Sequence, residues 1–204
     1  MIAVVDYGGG NLGSLVSALG RRGARFQVTT DAEVVARASA AILPGDGAFG
    51  ATMTALRERG LDGAIVRTIA DRRPFLGICV GMQVLYDRSD EHGDHAGLGI
   101  FQGTVTRFVD APRIPHMGWN ALEVVHDHPF VRGLGSDAYA YFLHSYRAVV
   151  DEHTLAATTH GERFAAIVAR GNVMATQFHP EKSQATGATL LDNFIALCGP
   201  AALK

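Results

Sequence analysis

One cysteine in this sequence stands between two glycines, in a setting that suits a nucleophile. The apolar run Pro74-Phe75-Leu76 leads into Gly77-Ile78-Cys79-Val80-Gly81, and a segment with helical spacing follows. A strand that turns sharply into a helix strains the residue at the turn, and small residues two positions to either side let the strand and the helix approach closely. Unpaired N–H groups at the start of the helix favour a thiolate over a thiol. We therefore predict that Cys79 is an activated nucleophile, exposed at the edge of a sheet.

A histidine and a carboxylate lie two positions apart far downstream, in Phe178-His179-Pro180-Glu181. A thiol needs a base, because an unperturbed cysteine titrates near pH ~8.5. In an extended segment, residues i and i+2 project to the same side, so Glu181 can reach the far nitrogen of His179 and fix its tautomer. Taken singly, these residues have simpler interpretations: a buried thiol, a hydrogen-bonded histidine at a strand end and a solvated carboxylate. Together they favour a Cys-His-Glu catalytic triad.

Two other patterns carry less weight. Gly8, Gly10 and Gly13 satisfy the G-x-G-x-x-G spacing of dinucleotide-binding loops, but no acidic residue ends the next strand. His92-x-x-His95 and His126-x-His128 come without a cysteine or a regular element that would fix metal ligands. We predict neither a metal nor a cofactor.

Composition limits the classes of function. The chain has 204 residues, of which 48% are hydrophobic, so we expect one domain over residues 1–204. A net charge of −2 without any run of Lys or Arg argues against nucleic acid or an anionic membrane surface as the main partner. No apolar stretch has the length of a membrane span, and the N-terminus does not resemble a signal peptide. Because two cysteines are too few for a disulfide framework, we expect Cys79 and Cys198 to be reduced thiols in a cytoplasmic protein.

The hydrophobic pattern alternates between strands and helices in the first half of the chain, which predicts parallel strand pairing. In the second half, short β-rich segments follow a polar loop and suggest an antiparallel excursion. The fold class is therefore α/β: a single domain with a mostly parallel central sheet, flanked by helices, and an antiparallel β excursion. The predicted strands cover 2–6, 25–29, 40–43 and 173–178, and a further strand ends at Cys79. The predicted helices cover Leu12 to Leu19, begin at 31, cover 61–71, follow Cys79 through Val84 and Leu85, and cover 189–198. The polar loop covers 89–95, and the β-rich segments lie around 105–109, 121–125, 139–143 and 165–168.

The motifs of this chain resemble those of the triad (class I) glutamine amidotransferases. The nucleophile, oxyanion and base motifs of that superfamily are similar to Gly77-Ile78-Cys79-Val80-Gly81-Met82-Gln83, Pro44-Gly45-Asp46-Gly47-Ala48-Phe49 and His179-Pro180-Glu181. Three further segments resemble one member of that superfamily, the glutaminase subunits of imidazole glycerol phosphate synthase. They are Asp6-Tyr7-Gly8-Gly9-Gly10-Asn11-Leu12, His116-Met117-Gly118-Trp119-Asn120 and Phe178-His179-Pro180-Glu181-Lys182-Ser183-Gln184. The resemblance spans nearly the whole chain and implies a flavodoxin-like fold.

The resemblance also implies a mechanism. Cys79 would attack the side-chain amide of glutamine, His179 would protonate the departing ammonia, and water would then release glutamate. Backbone N–H groups of Val80 and of the Asp46-Gly47 turn would bind the oxyanion. The residues implied to line the glutamine pocket are Gln83, His144, Ser145 and Tyr146.

Ammonia is mostly ammonium at neutral pH and escapes to solvent, so it must pass directly to an acceptor. The resemblance implies that a separate (β/α)8 cyclase subunit receives it in a heterodimer and forms imidazole glycerol phosphate and aminoimidazole carboxamide ribonucleotide in histidine biosynthesis. The residues implied to face that subunit are Asn11, Trp119 and Lys182. Without the surrounding motifs, the simpler interpretations are a helix cap, a core aromatic and a solvated lysine.

Asp46 departs from the family pattern, which has an apolar residue at this position. A carboxylate aimed at a developing oxyanion would oppose catalysis, so we expect the side chain to turn away while the N–H stays available. In the family, reorientation of this segment is tied to activation by the partner, and Asp46 could alter how easily the segment reorients.

Three alternatives remain open at the level of sequence. Glutaminase subunits for anthranilate, pyridoxal phosphate or guanylate synthesis share the triad and differ in the flanking segments. A cysteine hydrolase or peptidase of related fold would make Gln83 coincidental. A non-catalytic binding module would have a degenerate triad, whereas all three catalytic residue types are present here.

Overall fold

The computed structural model describes residues 1–10 and 12–203. In chain order the strands and helices are β1 (Ile2–Val5), α1 (Leu12–Arg21), β2 (Phe26–Thr29), α2 (Ala32–Arg37), β3 (Ala40–Leu43), α3 (Phe49–Glu58), α4 (Leu61–Ala70), β4 (Phe75–Ile78), α5 (Val80–Gln83), β5 (Tyr86–Ser89), β6 (His95–Ala96), β7 (Phe101–Arg107), β8 (His116–Ala121), β9 (Glu123–Val124), β10 (Tyr139–His144), β11 (Tyr146–Arg147), β12 (Thr154–His160), β13 (Glu162–Arg170), β14 (Val173–Thr176) and α6 (Gln184–Leu197). Short 3-10 helices cover Pro129–Val131, Pro180–Lys182 and Pro200–Ala202.

A central sheet of eight strands organises the molecule, in the order β2-β1-β3-β4-β14-β13-β12-β9. The first five strands in this order pair in parallel, and the last three pair antiparallel. Strands β1, β3, β4 and β14 are buried along their whole length, as expected of apolar strands covered on both faces. This confirms the predicted fold class, an α/β domain with a mostly parallel sheet flanked by helices.

Two smaller sheets form the antiparallel excursion. Strands β8 and β10 pair as a two-stranded ribbon, and β11, β7, β5 and β6 form a second sheet. The ribbon and β11 carry the chain through residues 143–146. These smaller sheets therefore bring the middle of the sequence to the carboxyl end of the central strand β4.

The elements differ from the predicted ones in several places. The helix after Cys79 is a single turn, Val80–Gln83, so Val84 and Leu85 lie beyond it. Helix α3 was not predicted, because Gly and two Thr residues weaken its helix propensity; a buried stripe of Phe49, Met53 and Leu56 holds it. Helix α6 begins at Gln184, earlier than the predicted 189–198. Strand β12 was not predicted, and the polar loop over 89–95 contains the ends of β5 and β6.

No helix in the described part of the chain is long and apolar enough to cross a bilayer. Both cysteines are free thiols, as expected.

Glycines make the turn from β4 into α5 possible. A Cβ at Gly77 would lie 2.5 Å from the Gly81 carbonyl oxygen, and a Cβ at Gly81 would lie 2.0 Å from the Leu43 carbonyl oxygen. Both neighbours are backbone atoms of packed elements and cannot move aside cheaply. The two glycines that flank Cys79 are thus required by the contact between α5 and the strands β3 and β4.

We expect Gly81→Ala to lower the free energy of unfolding by about 3 kcal/mol or more, because the added methyl overlaps the Leu43 carbonyl. Gly63→Ala is the matched control, since Gly63 lies within α4 and a Cβ there meets no atom within 4 Å. That control should raise the unfolding free energy by roughly 0.5–1 kcal/mol. Denaturant titration of both variants measures the difference, and equal midpoints would show that the close approach is not required.

Candidate active site

Cys79 occupies the turn between β4 and α5 with a strained backbone, φ 54° and ψ −111°. Its N–H donates to the Thr176 carbonyl of β14 at 2.7 Å. The expectation of an exposed thiol at the sheet edge is wrong: Cys79 is 3% exposed and follows a central strand. The burial arises because the loops that follow β3 and β10 close over the carboxyl end of β4, and the thiol is reached only through a cavity of about 120 Å³.

That cavity collects most of the predicted site residues. The predicted residues that line it are Asp46, Gly47, Cys79, Val80, Gln83, His144, Ser145, Tyr146 and His179. Two further residues, Glu91 and Leu143, line the cavity and were not predicted. Glu181 lies behind His179 rather than in the cavity wall.

His179 and Glu181 form a buried pair. The His179 Nδ1 and Glu181 Oε1 atoms are 2.9 Å apart, and the side chains are 7% and 5% exposed. The route to this contact differs from the predicted extended segment: His179 is extended, but Glu181 belongs to the 3-10 helix Pro180–Lys182. Burial opposes a charge on the imidazole, but the neighbouring Cys79 and Glu181 side chains stabilise it and raise the pKa of His179 to about 10. The site thus favours an imidazolium next to the thiol.

Two glutamine side chains lie beneath the thiol. Gln83, 3% exposed, donates from Nε2 to the Tyr146 carbonyl at 3.0 Å and to Gln177 Oε1 at 3.1 Å. Gln177 Nε2 in turn lies 3.8 Å from Cys79 Sγ. Gln177 was missed at the sequence level, although a polar residue within an apolar strand-like run was a usable signal.

The segment after β3 packs onto the start of α5. A Cβ at Gly45 would lie 2.8 Å from the Gly81 nitrogen, so the two backbones are in contact. Gly47 has a φ of +97°, and the Asp46 side chain is exposed. In the described part of the chain, the Val80 N–H has no hydrogen-bond partner. An unpaired donor at this position can hold a developing negative charge in the cavity.

Glu91 is a carboxylate in the cavity wall that sequence reasoning missed. It accepts a hydrogen bond from the Phe49 N–H, at the start of α3, with a distance of 2.6 Å. Its position in a polar loop gave no signal, because the contact joins residues 42 positions apart in the sequence. The carboxylate gives the cavity a fixed negative group.

The second histidine of the cavity wall is uncharged. His144 donates from Nδ1 to the Tyr146 carbonyl at 2.8 Å. Burial is the main cause that lowers the pKa of His144 to about 3. The imidazole next to His179 therefore carries no competing positive charge at neutral pH.

Two of the residues predicted to face a partner, Trp119 and Lys182, do not line the cavity. Trp119, on β8, is 48% exposed, and its ring meets Tyr141 of β10 with centroids 6.0 Å apart. Lys182 is half-buried at the end of its 3-10 helix. Asn11 lies outside the described residues.

No group of three or more His, Cys, Asp or Glu side chains that could hold a metal ion occurs within residues 1–10 and 12–203.

Comparison with known proteins identifies the family. Residues 3–198 match the family model "Glutamine amidotransferase class-I". "Imidazole glycerol phosphate synthase subunit HisH" of Salinibacter ruber is 45% identical over 97% of this chain and 94% of its own length. The HisH subunit of Deinococcus radiodurans is 46% identical over 98% and 95%, respectively.

Solved structures share the fold at lower identity. A crystal structure of a glutamine amidotransferase aligns with a TM-score of 0.76 and 24% identity, over 98% of this chain and all of that one. The structure of PurLQS from Thermotoga maritima aligns with a TM-score of 0.74 and 20% identity, over 96% of this chain and 97% of that chain. The family indicated by the motifs is thus confirmed. This chain is an enzyme subunit that belongs to the class-I glutamine amidotransferase family and, within it, to the HisH subunits of imidazole glycerol phosphate synthase.

Proposed function

We propose that this chain hydrolyses glutamine to glutamate and ammonia through Cys79, His179 and Glu181, and passes the ammonia to a separate (β/α)8 cyclase subunit. The cyclase then forms imidazole glycerol phosphate and aminoimidazole carboxamide ribonucleotide in histidine biosynthesis. The observation that carries the proposal is the buried His179–Glu181 pair, 2.9 Å apart, next to a strained cysteine at a small cavity. Residues 1–204 act as one glutamine amidotransferase domain.

The proposed chemistry uses the charges of the site. The Cys79 sulfur attacks the amide carbon of glutamine, and the carbonyl electrons move onto oxygen. The tetrahedral intermediate collapses as the His179 imidazolium gives its proton to the leaving nitrogen, so ammonia departs and a glutamyl thioester remains. Neutral His179 then takes a proton from water, which attacks the thioester and releases glutamate. Glu181 keeps Nδ1 of His179 protonated during both thioester formation and thioester hydrolysis.

The oxyanion requires hydrogen-bond donors. The Val80 N–H supplies one donor, because no other group in the described chain uses it. We assign the second donor to the Asp46-Gly47 turn, because the contact between Gly45 and the Gly81 nitrogen brings that turn to the start of α5. A single donor of this kind is worth about 3 kcal/mol of transition-state stabilisation.

The cavity wall matches the functional groups of a free amino acid. Glutamine carries an α-ammonium group. Two carboxylates, Asp46 and Glu91, line the cavity, and Glu91, which is held by the Phe49 N–H, is the one suited to face that group. Both N–H groups of the Gln83 amide are used by Tyr146 and Gln177, so its oxygen is left to accept from the substrate. A cavity of about 120 Å³ suits a small substrate rather than a peptide.

An exposed apolar face supports the proposed cyclase partner. The large apolar side chains of the β8 and β10 ribbon that are 40% or more exposed are Met117, Trp119, Tyr139 and Leu143. Leu143 also lines the cavity, and its carbonyl lies 4.0 Å from Cys79 Sγ. A partner seated on this face would cover the route by which ammonia leaves the thiol. A reduced nucleophile of this kind fits a reducing compartment, so we place the heterodimer in the cytoplasm.

Cys79→Ala should abolish glutamine-dependent turnover of the complex, with a loss of at least about a thousandfold, because the thioester cannot form. Turnover driven by added ammonia should persist, since the cyclase needs only the released product. Cys198→Ala is the matched control, as that thiol lies at the end of α6, away from the cavity. A coupled assay with the cyclase and its ribonucleotide measures glutamine-dependent turnover of both variants and ammonia-dependent turnover of Cys79→Ala. Glutamine-dependent turnover in Cys79→Ala would refute the proposal.

Trp119→Ala should weaken binding to the cyclase by about 30-fold, or roughly 2 kcal/mol, because a central exposed aromatic carries much of an interface's energy. Val66→Ala, which truncates a 41% exposed residue on α4, should leave the affinity unchanged. Isothermal titration of each variant with the cyclase gives the affinities. If the two substitutions have equal effects, or if the ribbon mediates self-association instead, this assignment of the face is wrong.

A further inference from the structure

A line of hydrogen bonds runs from the β8 and β10 ribbon to the cavity. Asn120 Nδ2 lies 3.2 Å from His116 Nε2, and His116 Nδ1 lies 3.2 Å from His144 Nε2. His144 Nδ1 lies 2.8 Å from the Tyr146 carbonyl oxygen, which also accepts from Gln83. The line thus joins a residue next to Trp119 to the wall of the proposed glutamine pocket.

Backbone groups fix both ends of this line. The Asn120 Oδ1 atom accepts from the Ala121 N–H at 2.9 Å, and its Nδ2 donates to the Thr159 carbonyl at 2.9 Å. The Asn120 amide therefore has one orientation, with an N–H directed at His116. At the other end, the Tyr146 carbonyl can only accept, so His144 Nδ1 must carry a proton.

The donor and the acceptor of each hydrogen bond between the two ends follow from these two assignments. With Asn120 donating to Nε2 of His116, that ring nitrogen must be unprotonated, and Nδ1 of His116 donates to Nε2 of His144. Both rings are then neutral Nδ1–H tautomers. A proton added to either ring would place one N–H donor against another N–H. The direction of the hydrogen bonds therefore requires both rings to be neutral.

We propose that Asn120 is a positioning residue for the glutaminase site: it fixes His116 and His144 as neutral Nδ1–H tautomers, and so keeps His144 uncharged beside His179 while holding the Tyr146 carbonyl that anchors Gln83. This inference rests on the proposed function. Its consequence is that the donor amide of Asn120 on β8 acts together with burial to set the tautomer and charge of a residue in the cavity wall.

The surroundings of the two rings agree with neutrality. His116 stacks between His160 of β12 and Phe142 of β10, with centroids 4.1 Å and 4.7 Å away. Burial first, and His160 second, lower the pKa of His116 to about 4.

Two carboxylates, Asp46 and Glu91, line the same cavity as His144, and Glu162 is paired with Arg147. The other ionisable neighbours of these rings are cationic or can become so. They are the histidines on β8, β10 and β12, His179, and Arg147, whose guanidinium lies 6.0 Å from the centroid of the intervening Phe108 ring. A charge on His144 would also oppose the imidazolium of His179. The carboxylate of the proposed triad, Glu181, is hydrogen-bonded to His179 and therefore does not stabilise a positive charge on His116 or His144.

Asn120→Asp tests the proposal because it replaces the donor with an acceptor of the same shape. We expect the pKa of His116 to rise from about 4 to at least about 6.5, since a carboxylate now faces Nε2. Long-range ¹H–¹⁵N spectra of the full chain report the tautomer and charge of each imidazole. In the unmodified chain they should show both rings as neutral Nδ1–H tautomers at pH 7.

The pH profile supplies a readout that a structural role would not move. In the complex with the cyclase, kcat/KM for glutamine in Asn120→Asp should fall by about tenfold per pH unit below the new pKa, over a range where the unmodified complex shows no such titration. His160→Phe is the control, because it keeps a stacked ring while lying outside the line. It should leave both tautomers unchanged.

An Nε2–H tautomer or an imidazolium at pH 7 in the unmodified chain would overturn the proposal. So would an unaltered His116 in Asn120→Asp, or an equal change in His160→Phe. The measurement on the unmodified chain does not depend on whether a variant folds. A complex that hydrolyses no glutamine would contradict the proposed function, and the tautomer spectra would still decide this inference.

Discussion

Cys79 is held in a backbone conformation that costs a residue with a side chain roughly 1–3 kcal/mol. The hydrogen bond from its N–H to Thr176 and the glycine contacts of Gly77 and Gly81 keep it there. Because the constraint acts on the backbone, the direction of the Cys79 Cα–Cβ bond depends on the packing of β3, β4 and β14. The rest of the site is arranged around this fixed point.

The charges around Cys79 are set by burial and by the direction of hydrogen bonds. His179 is buried and would lose its charge, but Cys79 and Glu181 reverse that tendency. His144, on the other side of the same cavity, has no such partners and stays neutral. Two imidazoles in one cavity thus have opposite protonation states, which is the arrangement that assigns one of them to proton transfer. The neutral imidazole, His144, is connected by hydrogen bonds through His116 to Asn120 of the β8 and β10 ribbon.

Sequence reasoning reached the parts of this arrangement that are encoded locally. The glycine spacing around Cys79, the pair His179 and Glu181 and the buried strands of the sheet were all visible in short segments. Gln177 and Glu91 were not, because their roles arise from contacts with residues 98 and 42 positions away. The same holds for the depth of the thiol. Loops from distant parts of the chain close over β4, and no local pattern records how fully they do so.

The central claim is that His179 is an imidazolium held by Cys79 and Glu181, and a titration of its ring followed by ¹⁵N NMR tests this most directly. We expect the His179 ring of the full chain to remain protonated through pH 8 and to titrate near pH 10. In Cys79→Ala the pKa should fall, because one of its two charge-stabilising neighbours is gone and burial still opposes the charge. A His179 ring that is already neutral at pH 7 in the unmodified chain, or that titrates identically in Cys79→Ala, would contradict the account.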